Sequence, residues 1–89
     1  MICLRIQVFG KVQGVFYRAT SKTKADELGL TGWVKNESDG TVSLFVKGES
    51  KKVEEMVEWC KEGPTFSKVD KVEYEEVEQE EFSDFEIRY

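Results

Sequence analysis

The chain of 89 residues carries 13 Lys plus Arg against 18 Asp plus Glu, a net charge of −5, with two cysteines and no histidine. This length supports one domain over residues 1–89, and a hydrophobic fraction of 39% with 12% aromatics suffices to build its core. The missing histidines exclude a Ser-His-Asp triad, a Cys-His pair and imidazole-ligated zinc or haem, and the acidic balance argues against a general nucleic-acid binder.

Ile2, Leu4, Ile6 and Val8 alternate with Cys3, Arg5, Gln7 and Phe9, which predicts a half-buried first strand. Gly10-Lys11-Val12-Gln13-Gly14-Val15-Phe16-Tyr17 follows with neither a helical nor a strand period and reads as a shaped loop. From Arg18 to Leu28 helix formers dominate until Gly29, with an inward stripe of Tyr17, Ser21, Ala25 and Leu28. Leu30 to Lys35 and Thr41 to Lys47 read as two strands joined by a hairpin loop, Asn36-Glu37-Ser38-Asp39-Gly40. Val53, Met56, Val57 and Cys60 recur at i, i+3, i+4, i+7 and predict a helix from about Ser50 to Glu62, closed by Gly63-Pro64. Val69 to Val77 is strand-like and acidic, and the tract from Glu73 to Glu81 reads as a solvated strand edge. The end alternates Phe85, Ile87 and Tyr89 with Glu86 and Arg88, a short terminal strand whose place in the sheet is open. The order β-α-β-β-α-β plus a terminal strand is that of the α+β ferredoxin-like sandwich, an antiparallel sheet with two helices on one face.

Charge divides the chain more sharply than its total suggests. Residues 1–48 hold seven basic and four acidic side chains, none of the acids before Asp26, whereas residues 49–89 hold six basic and fourteen acidic ones. An anion handled by this protein would be handled by the first half. Within it, Gly10 to Arg18 joins a strand end to a helix start, where backbone N–H groups have no intrahelical partner and the helix dipole is positive. Glycines at 10 and 14 let the backbone curl around an anion, and Arg18 would sit at the helix entrance with a fork suited to phosphate oxygens. Read alone, the same residues also fit a tight connection with a surface arginine.

Gly10-Lys11-Val12-Gln13-Gly14-Val15-Phe16-Tyr17-Arg18 resembles the first signature of the acylphosphatase family. Gly32-Trp33-Val34-Lys35-Asn36, then Gly40, Val42 and Gly48, is similar to its second, and Phe82-Ser83-Asp84-Phe85-Glu86-Ile87 to the family's tail. Tyr17 departs from the strict pattern, which prefers Phe or Met; its aromatic body is kept, so the change bears on packing and not on activity. The resemblance implies metal-independent hydrolysis of carboxyl-phosphate anhydrides to a carboxylate and inorganic phosphate. It further implies that Arg18 binds the phosphoryl group together with the backbone amides of Gln13, Gly14, Val15, Phe16 and Tyr17, and that Asn36 positions the attacking water.

A carboxylate leaving group, whose acid has a pKa of about 4, needs no general acid, and the loose transition state of phosphoryl transfer needs positioning and charge. The histidine-free composition is compatible with that reaction. Without the signature, Asn36 reads as a turn residue starting the hairpin. A phosphate-binding module without turnover and an RNA-binding domain are the competing classes. Trp33, Trp59, Phe9, Phe16 and Phe45 could stack on bases, but without a basic field around them they read as core. Cys3 and Cys60 read as two free buried thiols of a cytoplasmic protein. The N-terminus is a poor signal peptide and no stretch approaches a membrane span, so no membrane is expected; with the resemblance, the expectation is a monomer acting on a small acyl phosphate, with no cofactor, no metal and no nucleic acid.

Overall fold

The computed structural model describes all 89 residues and resolves the periodicities into seven elements. They are β1 (Ile2–Lys11), α1 (Tyr17–Glu27), β2 (Thr31–Asn36), β3 (Val42–Gly48), α2 (Ser50–Glu62), β4 (Lys68–Glu76) and β5 (Phe85–Arg88). The strands form one sheet in the order β4-β1-β3-β2-β5. Neighbours among the first four are antiparallel, as the ferredoxin-like order requires, and β5 joins outside β2 in parallel, making the sheet mixed. β1 runs past Gly10 to Lys11, because Gly10 and Lys11 pair with Val69 and Lys68 across a register shift at Phe9/Gly10. Such a bulge adds twist and re-aims the chain that leaves the strand.

One face of the sheet buries Leu4, Ile6, Val8, Val34, Val42, Leu44, Val46 and Phe85 beneath the two helices. α2 contributes Val53, Met56, Val57 and Cys60, the four residues its spacing singles out. α1 contributes Tyr17, Ser21 and Ala25; its small residues permit a close approach to the sheet. Past α1, Leu30 N–H donates to the Ala25 carbonyl at 2.9 Å and Gly29 N–H to the Asp26 carbonyl at 3.1 Å. That pair of bonds closes the helix and turns the chain into β2.

The opposite face holds a smaller cluster of Cys3, Trp33 and Phe45, covered by Val77 and Phe82. This refines the reading of the acidic tract. Up to Glu76 it is an exposed edge strand, but Val77 N–H donates to the Cys3 carbonyl at 3.0 Å, and Phe82 packs on Phe45 at 5.3 Å. The segment between β4 and β5 thus crosses the back of the sheet from one edge to the other. Two apolar residues among four carboxylates are too sparse to make a periodic signal.

At Gly32 the β2 backbone has φ +136°, and a Cβ there would overlap the Phe45 carbonyl of β3. Both strain and collision oppose any side chain. Gly32→Ala is therefore expected to cost roughly 3 kcal/mol or more of stability, seen as a lower urea midpoint at unchanged slope.

Candidate active site

The loop from Val12 to Phe16 lies between β1 and α1, and Val12 and Val15 are buried, pinning it to the core. Gly14 takes φ 71° and Phe16 φ 64°, ψ 19°, both left-handed. For Phe16, which stands at the cap of α1, that conformation costs on the order of 1 kcal/mol. The cap has no side-chain hydrogen bond, and Thr20 N–H, 3.0 Å from the Phe16 carbonyl, is the first amide of α1 with a backbone partner. The amides from Gln13 through Ala19 have no acceptor in the protein. A run of free N–H groups at a helix start is the feature that binds anions.

Arg18 lies in the first turn of α1 and makes no ion pair, although eight other cations of the chain do. Its Nη1 donates to the Arg88 carbonyl at 3.3 Å, and its guanidinium stands 4.8 Å from the Tyr89 ring. The terminal segment thus holds the arginine without neutralising it. β5 is held here from two sides: Lys22 of α1 donates to the Phe85 carbonyl at 2.8 Å, and Gly32 N–H of β2 to the Asp84 carbonyl at 3.0 Å.

Asn36 ends β2, opposite Val42 of β3. Its Oδ1 is buried with no hydrogen-bond partner in the protein, an arrangement that costs about 1–3 kcal/mol unless a ligand or water bonds it. The turn that follows is tightly bonded. Glu37 N–H donates to the Thr41 carbonyl at 2.8 Å, and Asp39 Oδ1 accepts from Thr41 Oγ1 at 2.6 Å and Thr41 N–H at 3.0 Å. Those two bonds hold the Asp39 carboxyl below its ordinary value. Ser38 and Asp39 have turn roles, as their place before Gly40 predicts.

Arg18, Asn36, Gly14, Phe16 and Tyr17 border one open cleft of about 280 Å³. Gln13 and Val15 do not line it: the Gln13 amide points to the Glu37–Thr41 turn and Val15 into the core. Val12, Ala19, Ile87 and Tyr89 complete the walls. Ile87 and Tyr89 are missed by the sequence reading. The signal was the terminal alternation, uninterpretable until β5 is placed beside β2.

One aromatic expectation is corrected. Phe16 is 77% exposed at the mouth of the cleft and is no core residue, because its left-handed backbone turns it outward. Trp33 and Phe45 are buried behind the sheet, and Trp59 packs at a tilt against Tyr17, ring centres 5.3 Å apart. The Tyr17 side chain leaves the cleft for the core, where its hydroxyl donates to the Cys60 carbonyl at 2.8 Å. Burial raises its pKa well above the ordinary phenol range.

Cys3 and Cys60 are free and wholly buried on opposite faces of the sheet. Burial pushes the Cys60 thiol up to about 12, so the reactive thiolate is suppressed. Both thiols are expected to ignore a chromogenic disulfide reagent at neutral pH until denaturant is added, when two equivalents react; prompt native labelling of either contradicts this packing. No three His, Cys, Asp or Glu side chains are grouped to hold a metal ion, and no helix is long and apolar enough to cross a membrane.

The family model described as Acylphosphatase matches residues 4–87. An acylphosphatase of Acaryochloris marina is 46% identical, the match covering 98% of this chain and 94% of that one. Among solved structures, an acylphosphatase from Coxiella burnetii superposes with a TM-score of 0.95 at 47% identity, over 98% of this chain and 92% of that one. That of Bacillus subtilis superposes with a TM-score of 0.97 at 39% identity, over the whole of both chains.

Proposed function

The chain belongs to the acylphosphatase family, and from that premise we propose that it is an enzyme hydrolysing acyl phosphates to a carboxylate and inorganic phosphate. The observation that carries the reading is the shared cleft: an arginine without a counter-ion and an asparagine with a buried, unpartnered oxygen face it together. The Arg18 fork and the free amides of the 13–17 loop take the phosphoryl oxygens, where charge spreads in the transition state. Asn36 Oδ1 accepts a hydrogen bond from the attacking water and aims its lone pair at phosphorus. The new P–O bond forms as the bond to the acyl oxygen breaks. The carboxylate departs with that bonding pair, and the water's proton passes to the phosphate formed or to solvent.

No acid is required, since the leaving carboxylate is stable at neutral pH, with a conjugate pKa of about 4. Positioning and charge therefore supply the catalysis. On this reading the enzyme needs neither cofactor nor metal and acts on a small acyl phosphate as a cytoplasmic monomer, without nucleic acid or membrane. The two unpaired thiols and the net charge of −5 are in keeping with that setting.

Hydrolysis of benzoyl phosphate, followed by absorbance, tests the activity. Release of benzoate and phosphate in equal amounts, undiminished by excess chelator, is the expected result. Binding of phosphate without turnover would leave a binding module in its place, and loss of turnover with chelator would overturn metal independence.

A further inference from the structure

The sequence reading assigns Gln13 only through its backbone amide, yet its side chain links the loop to the turn of the β2–β3 hairpin. Gln13 Nε2 donates to the Glu37 carbonyl at 2.8 Å and to the Thr41 carbonyl at 2.9 Å, 24 and 28 residues away. A primary amide has two N–H donors, and these two carbonyls match them. They are the two rims of the turn that closes the β2–β3 hairpin, where Glu37 N–H already meets the Thr41 carbonyl and Gly40 N–H the Glu37 carbonyl at 3.2 Å. Thr41 is held from the other side as well, since Gln7 of β1 donates to its Oγ1 at 3.1 Å.

The turn's own bonds fix its shape, but not its distance from the phosphate loop. Asn36 is the residue immediately before this turn, and Gly14 of the loop is the residue immediately after Gln13. The Gln13 amide is therefore a strut between the group proposed to hold water and the loop proposed to hold the phosphoryl group. Asparagine is one methylene shorter, and glutamate would set an acceptor against two carbonyls.

We propose that Gln13 is a positioning residue for hydrolysis, setting through the Glu37–Thr41 turn the separation between the Asn36 oxygen and the bound phosphoryl group. This rests on the reading of Asn36 as the group that orients the water. Misplacement by about 1 Å costs in-line attack on the order of a hundredfold, whereas phosphate binding needs only Arg18 and the loop amides.

The test is a double-mutant cycle on benzoyl phosphate hydrolysis, with inhibition by inorganic phosphate measured in parallel. Gln13→Ala is expected to lower kcat by roughly ten- to a hundredfold while the inhibition constant for phosphate changes less than about twofold. Gln13→Met, which keeps the bulk and removes both donors, should do the same with its fold intact by thermal melting, and it decides the matter if the alanine variant unfolds. Combined with Asn36→Ala, either change should add little further loss, because both act on the same water. Fully additive losses, or a phosphate inhibition constant that weakens in step with kcat, would overturn the strut and leave Asn36 standing. An Asn36→Ala variant with undiminished kcat would instead overturn the Asn36 reading, and the strut with it.

Discussion

Arg18→Ala is expected to lower benzoyl phosphate turnover by roughly a thousandfold or more and to abolish measurable inhibition by inorganic phosphate. Arg18 supplies the only side-chain cation among the residues bordering the cleft, and no carboxylate neutralises it. Its loss leaves the free amides of the loop as the remaining anion ligands, without the bidentate fork that matches two phosphoryl oxygens. Arg18→Lys should recover part of the binding and little of the turnover, since a point charge attracts phosphate but does not fix its orientation. The fold is expected to tolerate both changes. The arginine's contacts, a 3.3 Å bond to the Arg88 carbonyl and the face of Tyr89, lie at the chain's end, and exposed contacts of this kind contribute about 1 kcal/mol or less. Steady-state kinetics with phosphate as competitor decides the question: an unchanged inhibition constant in Arg18→Ala would remove this residue from the site.

The second expected result has the opposite signature. Asn36→Ala should lower kcat by roughly a hundredfold or more, the cost of losing an oriented hydrogen-bonding group at a reacting atom, while phosphate inhibition stays within about twofold. Arg18 and the loop amides, proposed to hold the anion, are untouched by the change. Stability should be equal or slightly higher in the variant. The Asn36 oxygen is buried without a partner, so replacing it with a methyl group removes a desolvation cost and breaks no bond within the protein. A residue kept at a cost to the fold and needed for turnover shows the trade expected at a functional site. A melting temperature that falls sharply with kcat would assign Asn36 to the hairpin instead.

Much of the fold was legible before any coordinates. The i, i+3, i+4, i+7 stripe of Val53, Met56, Val57 and Cys60 is the buried face of α2, and the alternation of Leu4, Ile6 and Val8 is the inner face of β1. Both are local periodicities imposed by one covering layer, which is the kind of information a linear sequence holds. The two signatures likewise put Arg18 and Asn36 forward as candidates. What the sequence could not express is which distant segments share a wall. The parallel seat of β5 beside β2 brings Ile87, the Arg88 carbonyl and Tyr89 to the cleft, and no local pattern encodes that pairing. Phe16 was misread for a related reason. An aromatic side chain is normally drawn to the core, and only the left-handed backbone at the α1 cap points it to solvent.

Composition and order by themselves determined the α+β class of this chain and that any catalysis proceeds without a histidine of its own, and they pointed to the first half for an anion. Tertiary structure decided the rest: where the arginine is held, that the asparagine oxygen lies buried without a partner, and how the Gln13 amide spans from loop to turn. Residue type and spacing set which groups are available. Their separations depend on pairing across 24 or more positions in the chain, and that register is chosen by the packing of the whole sheet.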